Sequence, residues 1–155
     1  MFVEADLALA MPFEVGARAL DRAIADGGLV SESRRAMADG LEFVMPAGPR
    51  GSHFPAREVV VHLLPPRRLS QRLVVGMRWE TAGPTGRLFP ALDADLELAA
   101  GPGPDRSRLS IIARYQPPLA TLGQTLDRVV MSKVASATMT SMLREVAIQL
   151  DNWSS

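Results

Sequence analysis

Apolar and polar positions alternate with period two through much of this chain, and give way to a helical period near its start and at its end. From Phe2 to Met11, Val3, Ala5, Leu7 and Leu9 lie on one side and Glu4, Asp6, Ala8 and Ala10 on the other, the pattern of a half-buried strand. Pro12 then stands where a first helical turn tolerates proline. Phe13, Ala17, Leu20 and Ile24 form a helical stripe, closed by Gly27-Gly28. Ser31 is placed to cap a second, short helix over Glu32 to Asp39, with Gly40 as its stop.

A succession of strands follows. Leu41 to Met45 reads as a short one, and Pro46 to Pro55 as a loop. Arg57 to Leu64 is rich in β-branched residues and is broken by Pro65-Pro66. Leu69 to Thr81 reads as one long strand, with Leu73, Val75, Met77 and Trp79 on one face and Arg72, Gly76, Arg78 and Glu80 on the other. After a turn at Gly83 to Gly86, Leu92, Ala94, Leu96 and Leu98 alternate with Asp93, Asp95 and Glu97. Gly101 to Asp105 turns again, and Leu109, Ile111, Ala113 and Tyr115 alternate with Arg108, Ser110, Ile112 and Arg114. Strands joined by short turns, each with one apolar face, predict an antiparallel meander with one wet side.

The last stretch, Leu119 to Trp153, has no proline and one glycine, Gly123, and its apolar residues recur at helical spacing. At the 100° per residue of an α-helix, Leu122, Leu126, Val129 and Val130 cluster about 150° away from Met139, Met142, Leu143, Val146 and Leu150. The change of phase falls in Ser132 to Thr138, which predicts a bend or break between Met131 and Thr138. A Thr121/Gln124 capping-box pattern marks the start of the first half. A single sheet with one apolar face needs a cover, and this helix is the available lid. The predicted class is therefore α+β: an antiparallel sheet of six to seven strands around a long C-terminal helix, with two short helices after the first strand.

Composition narrows the function. The 155 residues read as one domain, 1–155, and carry 17 basic and 17 acidic residues without a basic cluster, so a nucleic-acid partner has no electrostatic support. The absence of cysteine excludes disulfides and thiolate chemistry, and two histidines, His53 and His62, leave little for a metal site; no metal or cofactor is expected. No apolar run approaches the ~20 residues of a membrane span, which makes a cytoplasmic protein the default; a homodimer is compatible with the sequence. Lys133 is the sole lysine, part of an arginine, alanine and proline bias expected of a high-GC bacterial genome.

Candidate chemistry is sparse. Asp93, Asp95 and Glu97 share the face opposite Leu92, Leu96 and Leu98, where Arg72, Arg78 and Arg114 of other strands can pair with them, so they read as a solvated ion-pair surface. His62 is in phase with Glu58 and out of phase with Val59, Val61 and Leu63, which points it to water; His53 lies in the predicted loop beside Arg50. Trp79 and Tyr115 fall on apolar faces and carry polar handles, serving as volume fillers in a solid core or as anchors for a ligand's polar group in a cavity. Met77, Met139 and Met142 add adaptable surface. The inward set contains no charged residue, which favours binding over proton-transfer chemistry.

The element order, the stretch Gly86-Arg-Leu-Phe-Pro-Ala-Leu-Asp-Ala-Asp-Leu-Glu-Leu98, and Arg108-Leu-Ser-Ile-Ile-Ala-Arg-Tyr-Gln-Pro-Pro118 with Leu119-Ala-Thr-Leu-Gly-Gln-Thr-Leu-Asp-Arg128 after it, resemble the SRPBCC superfamily. This is the START-like, birch-allergen-like group that includes bacterial polyketide cyclase/dehydrase and lipid-transport-like proteins. The resemblance spans essentially the whole chain as layout and texture, and carries over no catalytic motif. It implies a helix-grip fold, a curved antiparallel sheet around a long helix, with a mostly apolar cavity between them. The expected function is binding of a hydrophobic or amphipathic small molecule such as a lipid or polyketide. Its lining is expected from Leu63, Val75, Met77, Trp79, Leu92, Leu96, Ile111, Tyr115, Met139, Met142 and Val146. One alternative is a metal-free cyclase or dehydratase using Tyr115, His62 or His53; another is a co-chaperone-like interaction module, which needs an exposed apolar patch.

Overall fold

The computed structural model describes residues 2–44, 59–82, 91–116 and 128–154. Strand β1 (Phe2–Leu9) leads into helix α1 (Phe13–Ala25), whose Phe13, Ala17 and Leu20 are buried as the stripe requires. The Pro12 carbonyl accepts the Val15 and Gly16 amides at 3.1 Å each, so the helix starts without a side-chain cap. At Gly16 a Cβ would lie 3.1 Å from Leu98 Cδ2 and 3.3 Å from Met11 Sδ, so glycine lets α1 close on the sheet. Gly27, at φ 74°, supplies the left-handed residue that ends the helix.

Helix α2 (Gly28–Val44) corrects two expectations. It is 17 residues long, not a short helix over 32–39, and it absorbs the strand expected from Leu41. Because Gly27 reverses the chain, the new helix begins at once; Ser31 lies inside it and donates its hydroxyl back to the Gly27 carbonyl at 3.1 Å instead of capping. Leu29, Ser33 and Ala36 are buried at helical spacing. Gly40 within such a helix costs only about 1 kcal/mol relative to alanine, which tertiary packing offsets.

Among the described residues the sheet has six antiparallel strands in the order β1-β6-β5-β4-β2, with β3 pairing β4 off this path. The members after α2 are β2 (Val59–Leu63), β3 (Arg67–Leu69), β4 (Arg72–Thr81), β5 (Ala91–Ala100) and β6 (Ser107–Gln116). The strand expected from Leu69 to Thr81 is thus two. Leu69 pairs with Arg72, so the chain turns at Ser70-Gln71, a pair that carries neither glycine nor proline to announce a turn. β4, β5 and β6 form the predicted meander, and β1 closes onto β6.

Helix α3 (Arg128–Ser154) packs on β1 and β6 and against α1 and α2, while α1 contacts β5 and α2 contacts β2. The helices cover one face of the sheet; this is a helix-grip α+β fold, the fold implied by the SRPBCC resemblance. Of the bend or break expected there, the break is absent: α3 is helical without interruption through 131–138. Ala135 and Thr138 are buried in phase with Met139, Met142, Leu143, Val146, Ala147 and Leu150, so the second stripe already begins inside the small-residue segment. Alanine favours the helix, and serine or threonine costs it at most ~0.7 kcal/mol per residue. Thr121, Leu122, Gly123 and Gln124 lie outside the described residues.

Candidate functional site

Register places the inner side chains in rows across the sheet. Val61, Trp79 and Leu92 make one row, with Tyr115 opposite Leu92 on β6. The next is Leu63–Met77–Ala94–Ala113–Val3, then Val75–Leu96–Ile111–Ala5, then Leu73–Leu98–Leu109–Leu7. The Met77 row stands out because two of its members are alanines.

Of the lining expected from sequence, Val75, Met77, Trp79, Leu92, Leu96 and Ile111 are buried on this face, and Met139, Met142 and Val146 lie on the buried stripe of α3. Leu63 is partly buried against the same cluster. Val75, Leu96, Ile111 and Met142 each expose 0 % of their surface, so in this conformation side chains occupy the space around them. Tyr115 has its backbone in β6, but its side chain falls outside the described residues, as does the whole of His53.

Besides Thr138 on the α3 stripe, two polar groups interrupt this apolar interior. Trp79 is 1 % exposed, and its Nε1 is buried without a hydrogen-bond partner. Ser33, fully buried on α2, directs its hydroxyl at thioethers alone, 3.8 Å from Met77 Sδ and 4.0 Å from Met142 Sδ. Sulfur is a weak acceptor. Ser33 was not among the residues expected at the site. Its signal was a serine at the centre of the Leu29, Ser33, Ala36 stripe, visible only once α2 is known to start at Gly28. Close by, Glu32 is buried but held: Arg35 Nη1 donates to it at 2.9 Å and Gln149 Nε2 at 3.1 Å. Among the described residues the other unpartnered buried side-chain atom, Ser107 Oγ, belongs to the far end of β6.

The outer face bears the expected charges. Arg72 Nη2 donates to Glu97 at 2.8 Å, Arg78 lies 3.5 Å from both Asp93 and Glu80, and His62 Nε2 is 3.2 Å from Glu80 Oε1. His62 is thus an exposed outer-face residue, as its phase predicted. Phe2, Leu64 and Ile112 also stand exposed there and line a groove of about 470 Å³ with Gly76 and Arg114. Two of them have partners within the chain: Leu64 folds its Cδ1 over Gly76, where an added Cβ would lie 2.8 Å away, and the Phe2 ring sits 5.2 Å from the Arg114 guanidinium. Among the described residues no His, Cys, Asp or Glu group could hold a metal, and no helix is long and apolar enough to cross a membrane.

A helix-grip domain with an apolar, donor-bearing interior is the class these features define. No family model and no curated protein matches the chain. Among solved structures it is similar to the protein TTHA0849 from Thermus thermophilus, with 13% identity over 100% of both chains and a TM-score of 0.48. It is similar to the Zhui aromatase/cyclase from a Streptomyces species, with 13% identity over 98% of this chain and 94% of that one and a TM-score of 0.42. It is also similar to Ara h 8.0201, with 9% identity over 98% of each chain and a TM-score of 0.44.

Proposed function

We propose that this protein binds a hydrophobic or amphipathic small molecule, of the lipid or polyketide kind, between the inner face of the sheet and α3. The observation that carries the reading is the indole N–H of Trp79. Buried donors in folded proteins are nearly always paired, and leaving one unpaired costs about 1–3 kcal/mol. A ligand acceptor in the sheet–helix space would recover that cost. The surrounding side chains suit admission of such a ligand, because Met77 and Met142 are unbranched, and their thioethers can rotate aside at little cost. The sequence's resemblance to the SRPBCC superfamily supports the same reading by analogy.

A cyclase or dehydratase would need a titratable group against the substrate. Among the described residues, the inward side chains of the sheet and the buried stripe of α3 supply none, the buried Glu32 of α2 is held by Arg35 and Gln149, and His62 faces outward. Binding without chemistry is therefore the simpler reading.

The test uses Trp79 as its own reporter. In a Trp153→Phe background, Trp79 is the only tryptophan of the chain. Native mass spectrometry of the purified protein, followed by a lipid and polyketide thermal-shift panel, should find a retained or added hydrophobe that raises Tm and changes Trp79 emission. A panel that yields no bound mass, no Tm shift and unchanged emission would reject the proposal.

A further inference from the structure

We infer that the ligand's polar end is an uncharged carbonyl oxygen, as in a ketone, quinone, ester or lactone, received by Trp79 Nε1–H with the Ser33 hydroxyl as second donor. This rests on the binding reading above and adds the chemical class. The indole can only donate, and the Ser33 hydroxyl has only thioether sulfurs to donate to, at 3.8 and 4.0 Å. Met77 stands beside Trp79 on the same face of β4, two residues or about 6.6 Å along the strand. Met77 is the side chain the two donors share, next to Trp79 on its strand and with its sulfur 3.8 Å from the Ser33 hydroxyl. One donor without an acceptor and one with only weak sulfur acceptors match an oxygen that has two lone pairs and no proton of its own.

Charge decides between a carbonyl and a carboxylate. No inward residue of the described sheet or of the α3 stripe is cationic. The two bases beside Ser33 on α2 are exposed, Arg34 and Arg35, and Arg35 is bound to Glu32. A carboxylate brought to Trp79 would lose its hydration with no counter-charge in return, whereas a ketone forfeits far less. The interior therefore selects against free fatty acids and in favour of their neutral carbonyl counterparts.

Two matched series test this by equilibrium dialysis at pH 8: ethylnaphthalene, acetylnaphthalene and naphthoate, and decane, decanone and decanoate. In the wild-type protein the ketone of the better-fitting series should bind about tenfold tighter than its hydrocarbon, the worth of one recovered hydrogen bond. The carboxylate should bind more weakly than either. Trp79→Phe should abolish the ketone's advantage while keeping hydrocarbon binding, and Ser33→Ala should reduce it in part. Should Trp79→Phe fail to fold, infrared spectroscopy of an isotope-labelled ketone bound to wild type answers instead, with a carbonyl stretch shifted down by hydrogen bonding. Equal binding of ketone and hydrocarbon, an advantage that survives Trp79→Phe, a carboxylate that binds as tightly as the ketone, or an unshifted stretch would each overturn the inference and leave hydrophobic binding standing. Binding by none of the six compounds would bring down both.

Discussion

Ile111 and Ile112 are chain neighbours on β6, yet Ile111 exposes 0 % of its surface and Ile112 51 %. The two faces of the sheet differ in the same way along most of the strands, the outer but buried Ser110 excepted. On β4 the inner Val75, Met77 and Trp79 meet Leu96, Ala94 and Leu92, while the outer Gly76 and Arg78 meet Asp95 and Asp93. Identical backbone hydrogen bonding supports both, so the difference lies wholly in what the side chains face. The inner side forbids charge and tolerates an unpaired donor; the outer side tolerates large apolar residues and holds its charges in loose pairs. Exposed apolar side chains are ordinary, whereas a buried polar atom without a partner is not. The asymmetry therefore directs attention inward, to Trp79 and Ser33, and away from the larger number of polar residues outside.

The largest expected effect comes from cutting the same side chain on each face. Ile111→Ala should destabilise by about 2–5 kcal/mol, through lost burial and the cavity left behind. Ile112→Ala should fall within about 0.5 kcal/mol of wild type. Urea unfolding of the two variants checks this directly. Equal losses would mean that the outer face is covered in solution, and the contrast between faces would collapse.

Most of that contrast was legible in sequence, because period-two alternation assigns each strand residue to a face without knowledge of the partners. What sequence left open was where the period stops. Gly40 read as a helix stop because glycine often is one, yet nothing opposes a helical glycine when the helix lies on a sheet. Ser70-Gln71 read as strand because a tight turn without glycine or proline leaves no mark. The phase change in α3 implied a bend or a break, and the chain stays helical through the small residues of 132–138 without breaking. The misplaced start of α2 concealed Ser33: with the helix thought to begin at Glu32, its serine had no apolar stripe to interrupt. Trp79 was recognised as inward from alternation alone, but its lack of a partner depends on every neighbouring element and has no sequence signature.

A smaller effect sharpens the outer side of the comparison. Arg72 and Glu97 form its best-aligned pair, but the arginine side chain is 59% exposed. A double-mutant cycle over Arg72→Ala and Glu97→Ala should give a coupling of about 0.2–1 kcal/mol at low salt. It should shrink in 1 M salt, where the screening length is about 3 Å. A coupling that stays above ~2 kcal/mol and ignores salt would describe a desolvated pair, and the outer face could no longer be treated as solvated.

The smallest expected change is also the most informative about the interior. Ser33→Ala removes a fully buried hydroxyl, and loss of a buried hydrogen bond would ordinarily cost about 0.5–1.5 kcal/mol. Here the bond partners are thioether sulfurs at 3.8 and 4.0 Å, so little hydrogen-bond energy is there to lose. The change also removes a desolvated donor and installs a better helix former, worth up to ~0.5 kcal/mol. The variant should therefore lie within about 0.5 kcal/mol of wild type, or slightly above it, in thermal or urea unfolding. A hydroxyl that stabilises the protein so little serves it better as a donor to something the chain does not contain. If Ser33→Ala instead cost more than ~1.5 kcal/mol, the hydroxyl would be a structural tie between α2, β4 and α3, and the interior would have to be read as a finished core.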